Sequence, residues 1–329
     1  VSESVVTVPR LVISLDFELH WGVFDHLRLD GPGRKYFDRT RELIPITLRR
    51  FADHGVAATW ATVGMLFARD REDLLAAVPD VRPAYRNAAL NPYALLDGVG
   101  RDESEDPYHY APSLIQAIID TPRQEMASHT FSHFYCLERG ATAESFAADL
   151  RAARQLALAN FGVELTSLVY PRNQSHFTEV AAAAGFTSYR GNPPAWFWQA
   201  ANGEDTGSAQ KAVRLLDHYL PLSGPSTGHP EGGSPDLANL PASRFLRPYL
   251  PRLDGYGGQH LKLRRILSEM TAAAETGRTY HLWWHPHNLA TDPVKNMAAL
   301  DAVLRHFSRL RERHGMESVT MQELSHARQ

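Results

Sequence analysis

Short apolar runs alternate with amphipathic stretches along most of this 329-residue chain. "RLVISLD" (10–16) reads as a buried strand, and "VAATWATVG" (56–64), "TSLVYP" (166–171), "FTSYRG" (186–191) and "RTYHLWWH" (278–285) read as further strands. Between them lie helical patterns over 38–55, 65–78, 141–162, 175–185 and 292–315. Thr142 caps the third and Gly162 stops it, while Asp292 and Pro293 open the fifth. "TMQE" (320–323) carries the capping-box pattern of a last helix. Pro45 is expected to bend or shorten the first helix. Strand–helix alternation of this kind predicts an α/β fold with a parallel sheet covered by helices. About seven such units close most economically into one (β/α) barrel, with residues 1–329 as a single domain.

Two regions break the rhythm. Residues 80–113 are rich in Pro, Tyr and Asp, and residues 191–260 in Gly, Pro and Ser, with 223–236 plainly loop. Insertions this long in a compact domain are usually binding loops or disorder. Hydrophobic residues make up 43 % and charged residues 22 %, enough for a large core. The formal net charge is −3 with no basic block, which argues against nucleic acid or an anionic membrane as partner. No run of about 18 apolar residues is present, so no membrane span is expected. The first residues lack a basic region followed by a long apolar run, so a cytoplasmic location is the default expectation. With one cysteine, Cys136, no intrachain disulfide is possible.

In a (β/α) barrel, reacting groups gather where strands end and loops begin. Four strands here end in unusual polar residues: Asp16 and Glu18, then His129 and His133, then Tyr170 to Gln174, and finally His285 to Asn288. His129 and His133 are spaced i, i+4, so one helix face would carry both to one ion, or they are two unrelated polar residues at a helix start. Asp16 and Glu18, two apart on a strand end, share a side of the sheet, or else cap a neighbouring helix. Taken together, one carboxylate and two imidazoles make a three-ligand site for Zn²⁺ or a similar ion, leaving the second carboxylate to take a proton from water. Arg172 either makes a structural ion pair or fixes the base carboxylate. His285 and His287 alternate along an extended chain, so one of them is expected to face the site as general acid. Cys136 is expected to pack behind the histidines, not to bind metal. Tyr85, Tyr93, Tyr108, Tyr110, Trp196 and Trp198 either stack on a sugar ring or form the cores of the long loops.

This set of residues resembles the polysaccharide deacetylase family, with its NodB homology domain (carbohydrate esterase family 4). "EMASHTFSH" (125–133) matches that family's H-[ST]-x-x-H metal motif, "VAATWATVG" is similar to its second strand, and "SLDFE" (14–18) looks like its first motif in a D-x-[DE] variant. The resemblance runs from about residue 10 to about 325 and is weakest over the two long loops. It implies a distorted NodB-like barrel. It also implies Asp16 as catalytic base; Glu18, His129 and His133 as ligands of one divalent ion, most simply Zn, with Co, Ni or Mn as alternatives; and His285, in "LWWH", as acid. Tyr170 to Arg172 would stand where the family's third motif supplies an arginine and a backbone N–H for the oxyanion, although "YPRN" departs from the family's Arg-x-Pro-Tyr order. Trp196 or Trp198 would give an apolar wall, and Tyr170, Trp196 and His287 would touch substrate.

The activity implied is removal of an N-acetyl group from an amino sugar or oligosaccharide, releasing acetate. Three alternatives stay open: hydrolysis of another C–N bond (formamide, ureide or cyclic imide) on the same barrel, metal-dependent glycoside hydrolysis, and glycan binding without catalysis.

Overall fold

The computed structural model describes residues 7–200, 207–217, 219, 227, 233–234 and 236–327, so most of the 223–236 stretch lies outside the described residues. In chain order the strands are β1 (Arg10–Phe17), β2 (Ala58–Thr62), β3 (Gln124–Ser128), β4 (Ser167–Val169), β5 (Ser188–Gly191), β6 (Gly233–Ser234), β7 (Leu237–Pro241), β8 (Arg244–Phe245), β9 (Thr279–Trp284) and β10 (Glu317–Val319). The helices are α1 (Gly31–His54), α2 (Arg71–Ala76), α3 (Pro112–Ile119), α4 (Ala143–Phe161), α5 (Thr178–Ala183), α6 (Ser208–Asp217), α7 (Pro251–Asp254), α8 (Gly258–Glu275), α9 (Pro293–His314) and α10 (Met321–His326).

All strand pairs are parallel except β6 with β7. Neighbours run β7-β5-β4-β3-β2-β1-β9-β8, and β10 joins the start of β1. The two ends of that path are one stretch of chain. Residues 238–241 pair with β5, Ala242 N–H donates to Gly191 O, and at the very next residue Ser243 N–H donates to His281 O as β8 takes up β9. The segment therefore bridges β5 and β9, and the sheet curls into a distorted parallel barrel with its strand C-termini on one rim.

Alternation along the strands sorts side chains into two sets. Leu11, Ile13, Leu15 and Phe17 of β1 pack outward into the main core beneath the helices. Val12, Ala61, Ala127, Val169 and Leu240 point into the barrel, where Met321 and Leu324 of α10 pack against them. Above that apolar layer the lumen turns polar, with Ser14, Asp16, Arg190 and His281 all buried.

Several boundaries follow from cap chemistry, as expected. Thr142 and Thr320 make capping boxes, Asp292 accepts from Lys295 N–H, and Gly162 and Gly315 close their helices in the left-handed conformation. Two expectations need correction. First, α1 starts at Gly31 under an Asp30 cap and continues past Pro45 to His54, so the proline does not shorten it. Its buried Leu43, Ile44, Thr47, Leu48 and Phe51 on either side of the proline outweigh the ~3 kcal/mol an interior proline costs. Second, residues 191–260 are not one loop, since they hold β7 and β8, which join the barrel. Of the two readings left open for the loop aromatics, burial selects loop core for Tyr85, Tyr93 and Tyr110 in the 80–113 insertion.

Candidate metal centre

β1 delivers Asp16 and then Glu18 to the rim on the same side, and both are buried. His129 follows β3 directly. The turn that carries His133 is not helical: Thr130 and His133 have φ of 62° and 57°, so the expected helix face is replaced by a tight loop. Asp149 of α4 anchors that loop, accepting from Phe131 N–H at 2.6 Å, Ser132 N–H at 3.2 Å and the Ser132 hydroxyl. Leu19, Thr130, His133, Arg172, Asn173 and Phe177, six of the seven non-glycine residues with positive φ among the described residues, lie in the loops of this rim. Backbone strain of this kind persists where surrounding contacts over-determine it.

Glu18, His129 and His133 place one ligand atom each within 4.8 Å of one another. Glu18 Oε2 lies 3.5 Å from His129 Nε2 and 3.2 Å from His133 Nε2, yet it is buried with no hydrogen-bond partner among the described residues. His129 Nδ1 sits 2.8 Å from Val169 O. A carbonyl only accepts, so Nδ1 carries a proton, and in the neutral ring it is the Nε2 lone pair that faces the carboxylate. A lone pair turned on a buried carboxylate oxygen is repulsive unless a cation lies between them, so this donor set fits a divalent ion. Room for Glu18 comes from Gly22, where a Cβ would stand 2.0 Å from the Glu18 carboxyl carbon.

Electrostatics agree with that fit. Burial pushes the Glu18 carboxyl up, but His285, His129 and His133 outweigh it and hold the group well below its usual range. Burial drives the His133 imidazole down to about 4, so it is neutral and ready to ligate at pH 7.

Asp16 is gripped by Arg190, not Arg172. Arg190 donates to Asp16 Oδ1 at 2.6 Å and Oδ2 at 2.7 Å, and also to Ser14 Oγ and Asn173 Oδ1, each at 3.1 Å. Its guanidinium lies 4.1 Å from the Trp283 ring centre. Burial raises the Asp16 carboxyl, and Arg190, with His129 and His285, more than cancels this to leave it below its usual range. Arg172 instead pairs with Asp25 and stacks over Tyr135 at 4.3 Å. The expectation that Arg172 fixes the base is therefore corrected. Strand alternation is the reason, because Arg190 points into the lumen from β5 whereas Arg172 lies in the turn beyond β4.

The turn at Pro286 overturns the expectation that only one of His285 and His287 faces the carboxylates. His285 Nε2 lies 3.7 Å from Glu18 and 3.8 Å from Asp16, and His287 Nδ1 lies 3.8 Å from Glu18. The two rings stack at 4.9 Å. His285 keeps 23 % of its side chain exposed and His287 only 8 %, so the more open ring of the pair is His285. Asn288 Oδ1, 3.2 Å from His285 Nδ1, fixes the ring so that Nε2 faces the carboxylates.

The other two expected substrate residues part ways: Tyr170 is buried with its ring stacked on Phe146, out of a substrate's reach, whereas Trp196 is 67 % exposed with its ring against Phe197. Trp198 donates to Asp217. The apolar wall beside His285 is made by Phe245 and Trp283 instead, 5.9 and 5.7 Å from its ring. Cys136 is buried in the core, its thiol pushed well up by burial. No helix among the described residues is long and apolar enough to cross a membrane.

No protein-family model and no curated protein matches this sequence. Solved structures do match over nearly the whole chain. One, described as a polysaccharide deacetylase of Mycobacterium smegmatis, aligns with a TM-score of 0.57 at 14 % identity, covering 98 % of this chain and 92 % of its own. A second, so described from Pseudomonas aeruginosa PAO1, gives 0.56 at 9 % identity over 97 % and 90 %. The fold is that of the polysaccharide deacetylases. An allantoinase shares it, at TM-score 0.54 and 10 % identity over 97 % and 90 % of the two chains. Within this deacetylase fold, the carboxylate pair and the two histidines sit on the strand C-terminal rim.

Proposed function

We propose that this protein is a metal-dependent hydrolase that removes an N-acetyl group from an amino sugar in a glycan or glycan precursor. The observation that carries this reading is the convergence of the Glu18 carboxylate and the His129 and His133 imidazoles beside a second, ionised carboxylate and an open histidine. Glu18, His129 and His133 would hold the ion, with zinc best suited to two imidazoles and one carboxylate. When bound, such an ion supplies a Lewis acid for the acetamide carbonyl and lowers the pKa of water.

The chain's own residues supply the proton transfers. Asp16, kept anionic by Arg190, accepts a proton from the attacking water. Arg190 fixes both carboxylate oxygens, so attack is directed without rotation of the base. His285, with Nδ1 held by Asn288 and Nε2 free toward the carboxylates, donates a proton to the departing amine. Phe245 and Trp283 border His285 and exclude water from the leaving-group side.

The test is acetate release from a panel of N-acetylated sugars, oligosaccharides and sugar nucleotides, with and without chelator, alongside a formamide, a ureide and a cyclic imide. Chelator-sensitive acetate release supports the reading. Turnover of the ureide alone, in line with the allantoinase that shares the fold, would replace it. Asp16→Asn should retain the metal while turnover falls by roughly 10²–10⁴.

A further inference from the structure

The two imidazoles differ in what holds their second nitrogen. His129 Nδ1 meets a backbone carbonyl, Val169 O at 2.8 Å, which can only accept. His133 Nδ1 meets the Tyr135 hydroxyl at 3.0 Å, which can donate or accept. Tyr135 is itself rigidly placed. Its backbone N–H donates to Tyr85 Oη at 2.8 Å, its ring packs edge-on to His133 at 5.1 Å, and the Arg172 guanidinium covers it at 4.3 Å.

We propose that Tyr135 is a positioning residue that lets His133 change tautomer when metal binds, while His129 stays locked in the ligating form. The inference rests on the metal-centre reading above. Without a cation, the His133 proton belongs on Nε2, where it faces the Glu18 carboxylate at 3.2 Å, and Nδ1 accepts from the Tyr135 O–H. With the ion held, Nε2 must offer its lone pair, so the ring proton moves through solvent to Nδ1 and is donated to the Tyr135 oxygen. No net proton is gained or lost by the ring. The phenol keeps its own proton and turns it away from Nδ1. A hydroxyl serves both states, whereas a carbonyl or a carboxylate in its place would serve only the second. Tyr85 and Arg172 thereby act on the metal through Tyr135.

The experiment is a long-range ¹H–¹⁵N correlation spectrum of the full chain labelled at histidine, metal-free and after one equivalent of zinc, with zinc affinity measured by chelator competition. His129 should show the Nδ1–H tautomer in both states, and His133 should pass from Nε2–H to Nδ1–H. Tyr135→Phe should weaken zinc binding by about 10–100-fold, with activity restored at saturating zinc. A His133 tautomer that is the same in both states, or wild-type zinc affinity in Tyr135→Phe, overturns the inference and leaves the metal centre standing. A folded wild-type protein that takes up no zinc overturns both.

Discussion

Two buried glutamates in the same barrel end up in opposite states. Glu125, near the start of β3, accepts from the Thr59 hydroxyl at 2.7 Å and from Gln322 N–H at 3.1 Å. Burial dominates there and raises its carboxyl above the usual range, despite the hydroxyls around it. Glu18, at the rim, is as deeply buried, but His285, His129 and His133 outweigh burial and its carboxyl is held well below that range. Neutral donors satisfy a buried carboxyl without requiring its charge, whereas a ring of imidazoles requires it. Burial alone does not set the charge of a carboxyl; the groups opposite it decide.

This contrast can be broken most sharply at Glu18. Glu18→Gln should leave the fold intact, since the amide has the same shape, but abolish zinc binding in a chelator titration and cut acetate release by about 10³-fold or more. Retained zinc would remove Glu18 from the ligand set. The next largest effect is expected at Arg190. Arg190→Met strips Asp16 of its bidentate partner, so the acid limb of the pH–rate profile should move to higher pH, with a loss of at least about 10² at neutral pH. Arg172→Met should leave that limb in place. The reverse pattern would restore the assignment of Arg172 as the base's partner.

A smaller, global effect concerns pH. Burial lowers His20 and His133 to about 4, and His281 and His287 to about 3, all from 6.5. Between pH 6.5 and those values the unfolded chain binds protons that the folded chain refuses. Their contribution to stability is therefore complete above pH 6.5 and is lost as pH falls toward 3–4. The Tm of the chelated protein should fall steadily over that window, and a flat profile would contradict the buried, neutral assignment. The smallest effect is expected for Glu125→Gln. The amide replaces a carboxyl already inclined to be protonated, so stability should change by no more than about 0.5 kcal/mol and activity should not change.

Much of this arrangement is legible in the sequence, because parallel strands buried on both faces leave apolar runs, and polar residues just past such runs fall on one rim. That logic brings Asp16, Glu18, His129, His133 and His285 to one place. It misreads Arg172 and misses Arg190, although a signal was present: in "FTSYRG" an arginine occupies a lumen-facing position two residues from Ser188, and a charge there needs a buried acceptor. The i, i+4 spacing of the histidines suggested a helix because spacing alone does not reveal that Thr130 and His133 adopt positive φ. β7 and β8 escaped notice because strands of five and two residues interrupted by Pro241 carry too little periodicity to stand out from a Gly- and Pro-rich stretch.

The bridging segment between β7 and β8 also acts as a ruler. On one side it sets the height of β5, and with it Arg190. On the other it sets the height of β9, and with it His285. In the proposed reaction, proton acceptance and proton donation would thus be gauged against each other by the peptide joining Ala242 to Ser243. Removing one residue there would slide the acceptor's anchor past the donor by one strand step, about 3.3 Å, farther than any proton transfer tolerates, without touching either group.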